Sequence, residues 1–320
     1  MTTVVLARSS GAAPAQQATT PQGNLVQAAL DKDNVCTECH DPSSPKHTLT
    51  IYQTRHGVKG DATAPSCQSC HGDSTVHIKD TKKPTDVVFS EKSPNLSAAE
   101  ARNTACLTCH DAKARTNWPG SQHESRGVAC NSCHNIHAPD QKVLSKTTQA
   151  EVCFTCHKTQ RAQVHRISAH PLASKSLATA PKMSCSDCHN PHGSTGPHLM
   201  AKASVNDTCF ACHAEKRGPF LWEHAPVSED CSLCHTPHGS ANAPLLKVRQ
   251  PVLCQDCHSG DHANQVGSGA NLTTGKVTTI NGTQQPGARA PRQQLGARAC
   301  ISCHPLVHGS NHPAGAKFSR

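Results

Sequence analysis

Ten times along the chain two cysteines stand two residues apart and a histidine follows at once. The motifs open at Cys36, Cys67, Cys106, Cys130, Cys153, Cys185, Cys209, Cys231, Cys254 and Cys300 and continue through Cys39, Cys70, Cys109, Cys133, Cys156, Cys188, Cys212, Cys234, Cys257 and Cys303. They close on His40, His71, His110, His134, His157, His189, His213, His235, His258 and His304. Two thiols at this spacing can form thioethers to the two vinyl groups of a haem, and the adjoining imidazole then reaches the iron. Paired cysteines also make zinc ribbons, disulfides and thioredoxin-like redox sites, none of which demands a histidine at the next position. With 24 His in 320 residues, composition alone would place one after all ten pairs roughly once in 10^11. The motifs use all 20 cysteines, so ten covalently attached haem c groups are expected.

An iron held by one imidazole has a second axial position, and 14 histidines remain outside the motifs. From Cys36 onward the motifs fall into five pairs, each followed by further histidines. Position within this repeat selects His56, His77, His123, His137, His170, His192, His224, His238, His262 and His308 as second ligands, with His165 competing for the place of His170. His137, His192 and His238 stand three residues beyond a motif histidine, on the same side of a helical turn, and so point to a neighbouring group. The tail recurs as Pro191-His192-Gly193-Ser194, Pro237-His238-Gly239-Ser240 and Val307-His308-Gly309-Ser310. His47, His165, His198 and His312 are read as ordinary polar side chains. Methionine ligation raises haem potentials, but only Met1, Met183 and Met200 exist. Low-spin, low-potential, bis-histidine haems are the expectation.

Positioning these groups needs little regular structure. The protein has 5 Phe, 2 Trp and 1 Tyr, 35% hydrophobic residues and a mean hydropathy of −0.53, a composition that as polypeptide alone resembles a disordered chain. Ten porphyrins would supply the missing apolar surface. The expected fold class is a multihaem cytochrome c: mostly irregular coil with short α-helices and negligible β, an elongated haem chain acting as the core. Residues 31–40 and 97–110 read as helical approaches to their motifs, the second opening on a Ser97-Ala98-Ala99-Glu100 capping box. The formal charge of +9 is offset by two propionates per haem, which argues for propionate neutralisation and against nucleic acid.

Residues 1–30 are read as a signal remnant or flexible tail, with Ala13-Pro14-Ala15 resembling a cleavage site. Residues 31–175 and 176–320 are expected to form two pentahaem halves of one continuous line. Insertions at 72–105 and 259–299 interrupt the repeat, the latter with a stretch at 276–283 that resembles a hairpin around Asn281-Gly282 and reads as a solvated loop or, alternatively, a docking surface for a partner. No run of 18 apolar residues would span a membrane.

Ten CxxCH motifs in five pairs, the PHGS-type tails and the terminal His308-Gly309-Ser310-Asn311-His312-Pro313 resemble the MtrA/DmsE/PioA family of decahaem cytochromes over residues 31–315. Each half is also similar to the pentahaem periplasmic donor of nitrite reductase. The resemblance implies a periplasmic protein associated with the outer membrane that inserts into a β-barrel porin. It would conduct electrons between periplasmic electron carriers and an extracellular multihaem cytochrome, terminal reductase or metal. Such a protein is an electron carrier and not an enzyme. The alternatives are a freely diffusing periplasmic carrier or store, and a multihaem oxidoreductase acting on nitrite, hydroxylamine or a sulfur oxyanion.

Overall fold

The computed structural model describes residues 31, 33–44, 48–58, 63–112, 115–172, 182–258, 299–313 and 315–318. The tail 1–30, His47, His262 and the hairpin-like sequence at 276–283 lie outside them. Helices are short: α1 at 33–37, α2 Cys67–His71, α3 Thr75–Lys79, α4 Ala99–Leu107, α5 Gln149–Cys153, α6 Lys158–Val164, α7 Val205–Phe210, α8 Ala225–Glu229 and α9 Val252–Gln255. Short 3-10 segments join them, the longest Thr48–Gln53, and among the described residues β structure is confined to isolated bridges such as Ser168 with Ser240 and Trp222 with Ser310. The sparse-helix expectation holds.

The repeat is visible in how each motif starts. In the first motif of each pair, the leading cysteine lies in or near the last turn of a helix, as Cys106 does in α4 and Cys209 in α7. In four of the five second motifs it opens a 3-10 turn, at Cys130, Cys185, Cys231 and Cys300. Both settings end alike. The carbonyl of the leading cysteine accepts from the second cysteine's amide and, in most motifs, from the histidine's, as with Cys185 to Cys188 at 3.2 Å and His189 at 2.9 Å. One tight turn therefore brings two thiols and an imidazole to the same side.

The capping box expected at Ser97 does not form. Ala98 is the N-cap of α4 and carries no capping side chain, because the Ser97 hydroxyl instead accepts from the Val88 amide at 2.9 Å. The insertion 72–105 is a packed support. Asp86 accepts from the Ser74 amide at 2.8 Å, Val87 supplies a carbonyl to His71, and Phe89 packs edge-on to His71 at 5.2 Å.

Apolar packing is thin. Ala150, Phe154, Val164 and Leu172 form one buried cluster with Met183 and Cys185 against it. Polar side chains such as Asn103, Asn206, Ser184 and Ser310 are as buried as this cluster. A polypeptide that buries serine and asparagine as readily as leucine is not held by an apolar core of its own.

The described residues fall into two compact units, one drawn from Met1–Cys109 and Ala129–Gln141, the other from His110–Val128 and Lys142–Arg320. No helix among the described residues is long and apolar enough to cross a membrane.

Candidate haem-binding site

Within a pair, the two motifs are latched together by a polar side chain just upstream of the first. Asp33 accepts from the Cys67 amide at 2.9 Å, Asn103 from Cys130 at 2.8 Å and Asn206 from Cys231 at 2.7 Å. Gln149 and Gln250, one residue further upstream of their motifs, accept from Ser186 at 3.0 Å and Ile301 at 3.3 Å. The sequence reading passed over these five, although an acidic or amide residue recurs at each place.

The latch sets the leading cysteines side by side. The thiol of Cys36 neighbours that of Cys67, as Cys106 does Cys130, Cys153 does Cys185, Cys209 does Cys231 and Cys254 does Cys300, each a free thiol. Burial raises the Cys67 thiol to about 12, with Asp33 adding to the effect. Across successive pairs the trailing cysteine of one second motif lies near both cysteines of the following first motif: Cys70 near Cys106 and Cys109 in the first unit, and in the second Cys188 near Cys209 and Cys212 and Cys234 near Cys254 and Cys257. Attachment points of successive motifs within a unit are therefore neighbours.

The histidines form a second pattern. Among the described residues these seven motif rings face a non-motif ring with centroids 6.1–6.4 Å apart: His40 with His77, His71 with His137, His157 with His123, His189 with His238, His213 with His170, His235 with His308 and His258 with His224. The interplanar angle runs from 15° to 75° across the same seven. Rings packed directly on one another change spacing with tilt, since faces approach more closely than an edge meets a face. A metal between them fixes the separation and leaves rotation free. At about 2 Å for each metal–nitrogen bond and about 1.2 Å from nitrogen to ring centre, two opposed imidazoles would sit about 6.4 Å apart.

Hydrogen bonding selects the nitrogen that would bind. Nδ1 of His77 donates to the Lys83 carbonyl at 2.7 Å, His123 to Pro191 at 2.8 Å, His137 to Thr48 at 2.8 Å, His170 to Pro237 at 2.6 Å and His224 to Val307 at 3.0 Å. Among motif histidines His71, His189, His235 and His304 donate to Val87, His198, Pro244 and Lys317. A ring whose Nδ1 carries the proton presents a bare Nε2, the form a metal needs, with its orientation fixed by the carbonyl. Burial lowers the pKa of His71, His189, His238 and His308, which also keeps them neutral. Thr48 Oγ1 and Trp118 Nε1, buried donors with no acceptor among the described residues, fit a site completed by a group bearing carboxylates.

Of the other selected residues, His56 lies in the turn Arg55–Gly57, His192 lies 6.3 Å from Trp118, and His134 Nδ1 meets Gln141 Oε1 at 3.0 Å. His170, not His165, faces a motif ring. His198 contributes its carbonyl, and Met183 packs in the apolar cluster.

Thiol pairs for thioethers, neutral opposed imidazoles and almost no apolar core define a multihaem c-type cytochrome. The chain matches the doubled CXXCH motif family over residues 178–218 and 224–263 and the cytochrome c-type protein NrfB-like family over residues 67–156. It is 38% identical over 309 residues to the multiheme cytochrome MtrA of Shewanella baltica (strain OS185), covering 93% of this chain and 84% of that protein. The chain belongs to the MtrA family of multihaem c-type cytochromes, electron-transport proteins that carry haem c.

Proposed function

We propose that the chain carries ten haems, each closed on both faces by imidazole, and conducts electrons along them across the outer membrane inside a β-barrel porin. The partners at either end are periplasmic electron carriers and an extracellular multihaem cytochrome or terminal reductase. The observation that carries this reading is the closeness of cysteines in successive motifs within each unit, which supports attachment sites following one another in chain order.

The ligand pairs support it. The first-motif histidines His157, His213 and His258 pair with a histidine of the preceding repeat, as His213 does with His170, while His40 pairs with His77 of its own. A second-motif histidine pairs with the tail of the following repeat, as His189 does with His238. The repeat assigns His56, His192 and His262 to the three remaining irons. With both faces of each iron occupied, substrate has no coordination position, which favours a conductor over a catalyst. The halves 31–175 and 176–320 are then two stretches of one line. A polar chain that crosses about 40–45 Å of bilayer and headgroups needs a barrel around it as insulation.

The test is a liposome holding a reducible dye, with the barrel protein in its membrane. Reductant outside should reduce the dye inside only when this cytochrome is present. Equal reduction without it, or none with it, contradicts the proposal.

A further inference from the structure

The first two haem sites have the same pair of axial residue types, yet their imidazoles are supported differently. At His71 and His137 both rings donate Nδ1–H to a backbone carbonyl, His71 to Val87 at 3.1 Å and His137 to Thr48 at 2.8 Å. The second of these is held from the other side, because the Thr50 hydroxyl donates to the His137 carbonyl. At His40 and His77 only the second ring is so supported, by Lys83 at 2.7 Å. Nδ1 of His40 is buried and meets no acceptor among the described residues.

Drawing the Nδ1 proton toward a carbonyl gives the ring imidazolate character, strengthens donation from Nε2 and favours the ferric iron. Two such bonds favour it more than one. Asp33 adds negative charge at the Cys67 amide, but it also acts on Cys36, so the contrast between the sites rests on the rings.

Building on the bis-histidine ligation proposed above, we propose that the haem attached at Cys67 and Cys70 is a low-potential barrier beside a higher-potential haem at Cys36 and Cys39. An electron moves from ferrous to ferric iron with no bond made or broken. Electrons reaching this end of the line accumulate on the Cys36 haem and pass its neighbour by brief, uphill occupancy. Thr50 and Thr48 are then positioning residues that act on the potential through His137.

The experiment is a spectroelectrochemical titration of the full-length haem-loaded protein and two ligand variants. Methionine in place of one histidine raises the potential of the affected haem. His137→Met should withdraw one haem equivalent from the low-potential end of the titration, and His77→Met should withdraw one from higher in the curve. The inference is overturned if the equivalent displaced by His137→Met starts at or above the one displaced by His77→Met. If His137→Met yields no methionine-ligated spectrum and moves no wave, His137 is not a ligand, and the ligation reading falls together with the inference. A milder variant, Thr50→Val, leaves every ligand in place. It should raise one low-potential wave while all haems remain low-spin, and an unshifted titration would count against the inference.

Discussion

Nδ1 of His170 donates to the carbonyl of Pro237 at 2.6 Å, so the ring that faces His213 is tied to the peptide carrying His238, which faces His189. His224 and Val307 repeat the arrangement beside His308. Neighbouring ring pairs thus share backbone across successive repeats. The consequence is testable by epistasis. His308→Ala should open one iron to give a high-spin signal. Removing the Cys231 and Cys234 attachment should abolish that signal, while removing Cys300 and Cys303 should leave it. The reverse outcome would mean that His308 serves its own repeat.

The glycine after the tail histidine is required by close approach. Gly239 has φ +156°, and a Cβ there would stand 2.0 Å from the Gln163 carbonyl oxygen; at Gly193 the corresponding distance to Asn117 is 1.9 Å. Backbone cannot yield as a flexible side chain can. Gly239→Ala should displace His238 and give one perturbed haem, seen as loss of one low-spin equivalent by magnetic circular dichroism. A spectrum identical to that of the parent would show the loop to be more accommodating than this geometry.

Asn206 is buried and makes three bonds, to the Cys231 amide and the Val227 and Ser228 carbonyls. Asn206→Ala strands a buried amide and two carbonyls, so a loss of about 1–3 kcal/mol is expected, measured by denaturant unfolding of the haem-loaded protein. Glu151→Ala, at an exposed ion pair of 3.9 Å with Arg161, should change stability far less. Equal losses would remove the latch from the account.

Acid should destabilise the fold, and the sign follows from burial. His71, His189, His238 and His308 have pKa values below the ordinary 6.5, chiefly through desolvation. Below about 6.5 the unfolded chain binds protons that these native rings do not, so stability rises with pH up to that value and falls as pH drops beneath it. The denaturation midpoint should therefore be lower at pH 5 than at pH 7. A flat or inverted profile would contradict this.

The attachment chemistry was legible because covalent haem needs its residues contiguous, and Cys185-Ser186-Asp187-Cys188-His189 states the whole requirement. Repeat position preferred His170 over His165, and His170 is the ring that faces His213. Partners were not legible, since His189 and His238 are brought together by the chain path between repeats. Asn103 and Asn206 were missed because an amide three residues before a cysteine has no meaning until its acceptor oxygen is seen on the next motif. The capping box at Ser97 failed for a related reason: a tertiary donor, the Val88 amide, claimed the hydroxyl.

Opposed imidazoles on every iron are the claim on which the conductor rests, and electron paramagnetic resonance of the fully oxidised protein tests it most directly. The spectrum should quantify to ten low-spin ferric haems, with near-parallel ring pairs such as His235 with His308 at 15° giving rhombic signals. The crossed pair His123 with His157 at 75° should give a more anisotropic one. A high-spin ferric signal amounting to one haem or more per chain would mean an iron with an open face, and would contradict the account.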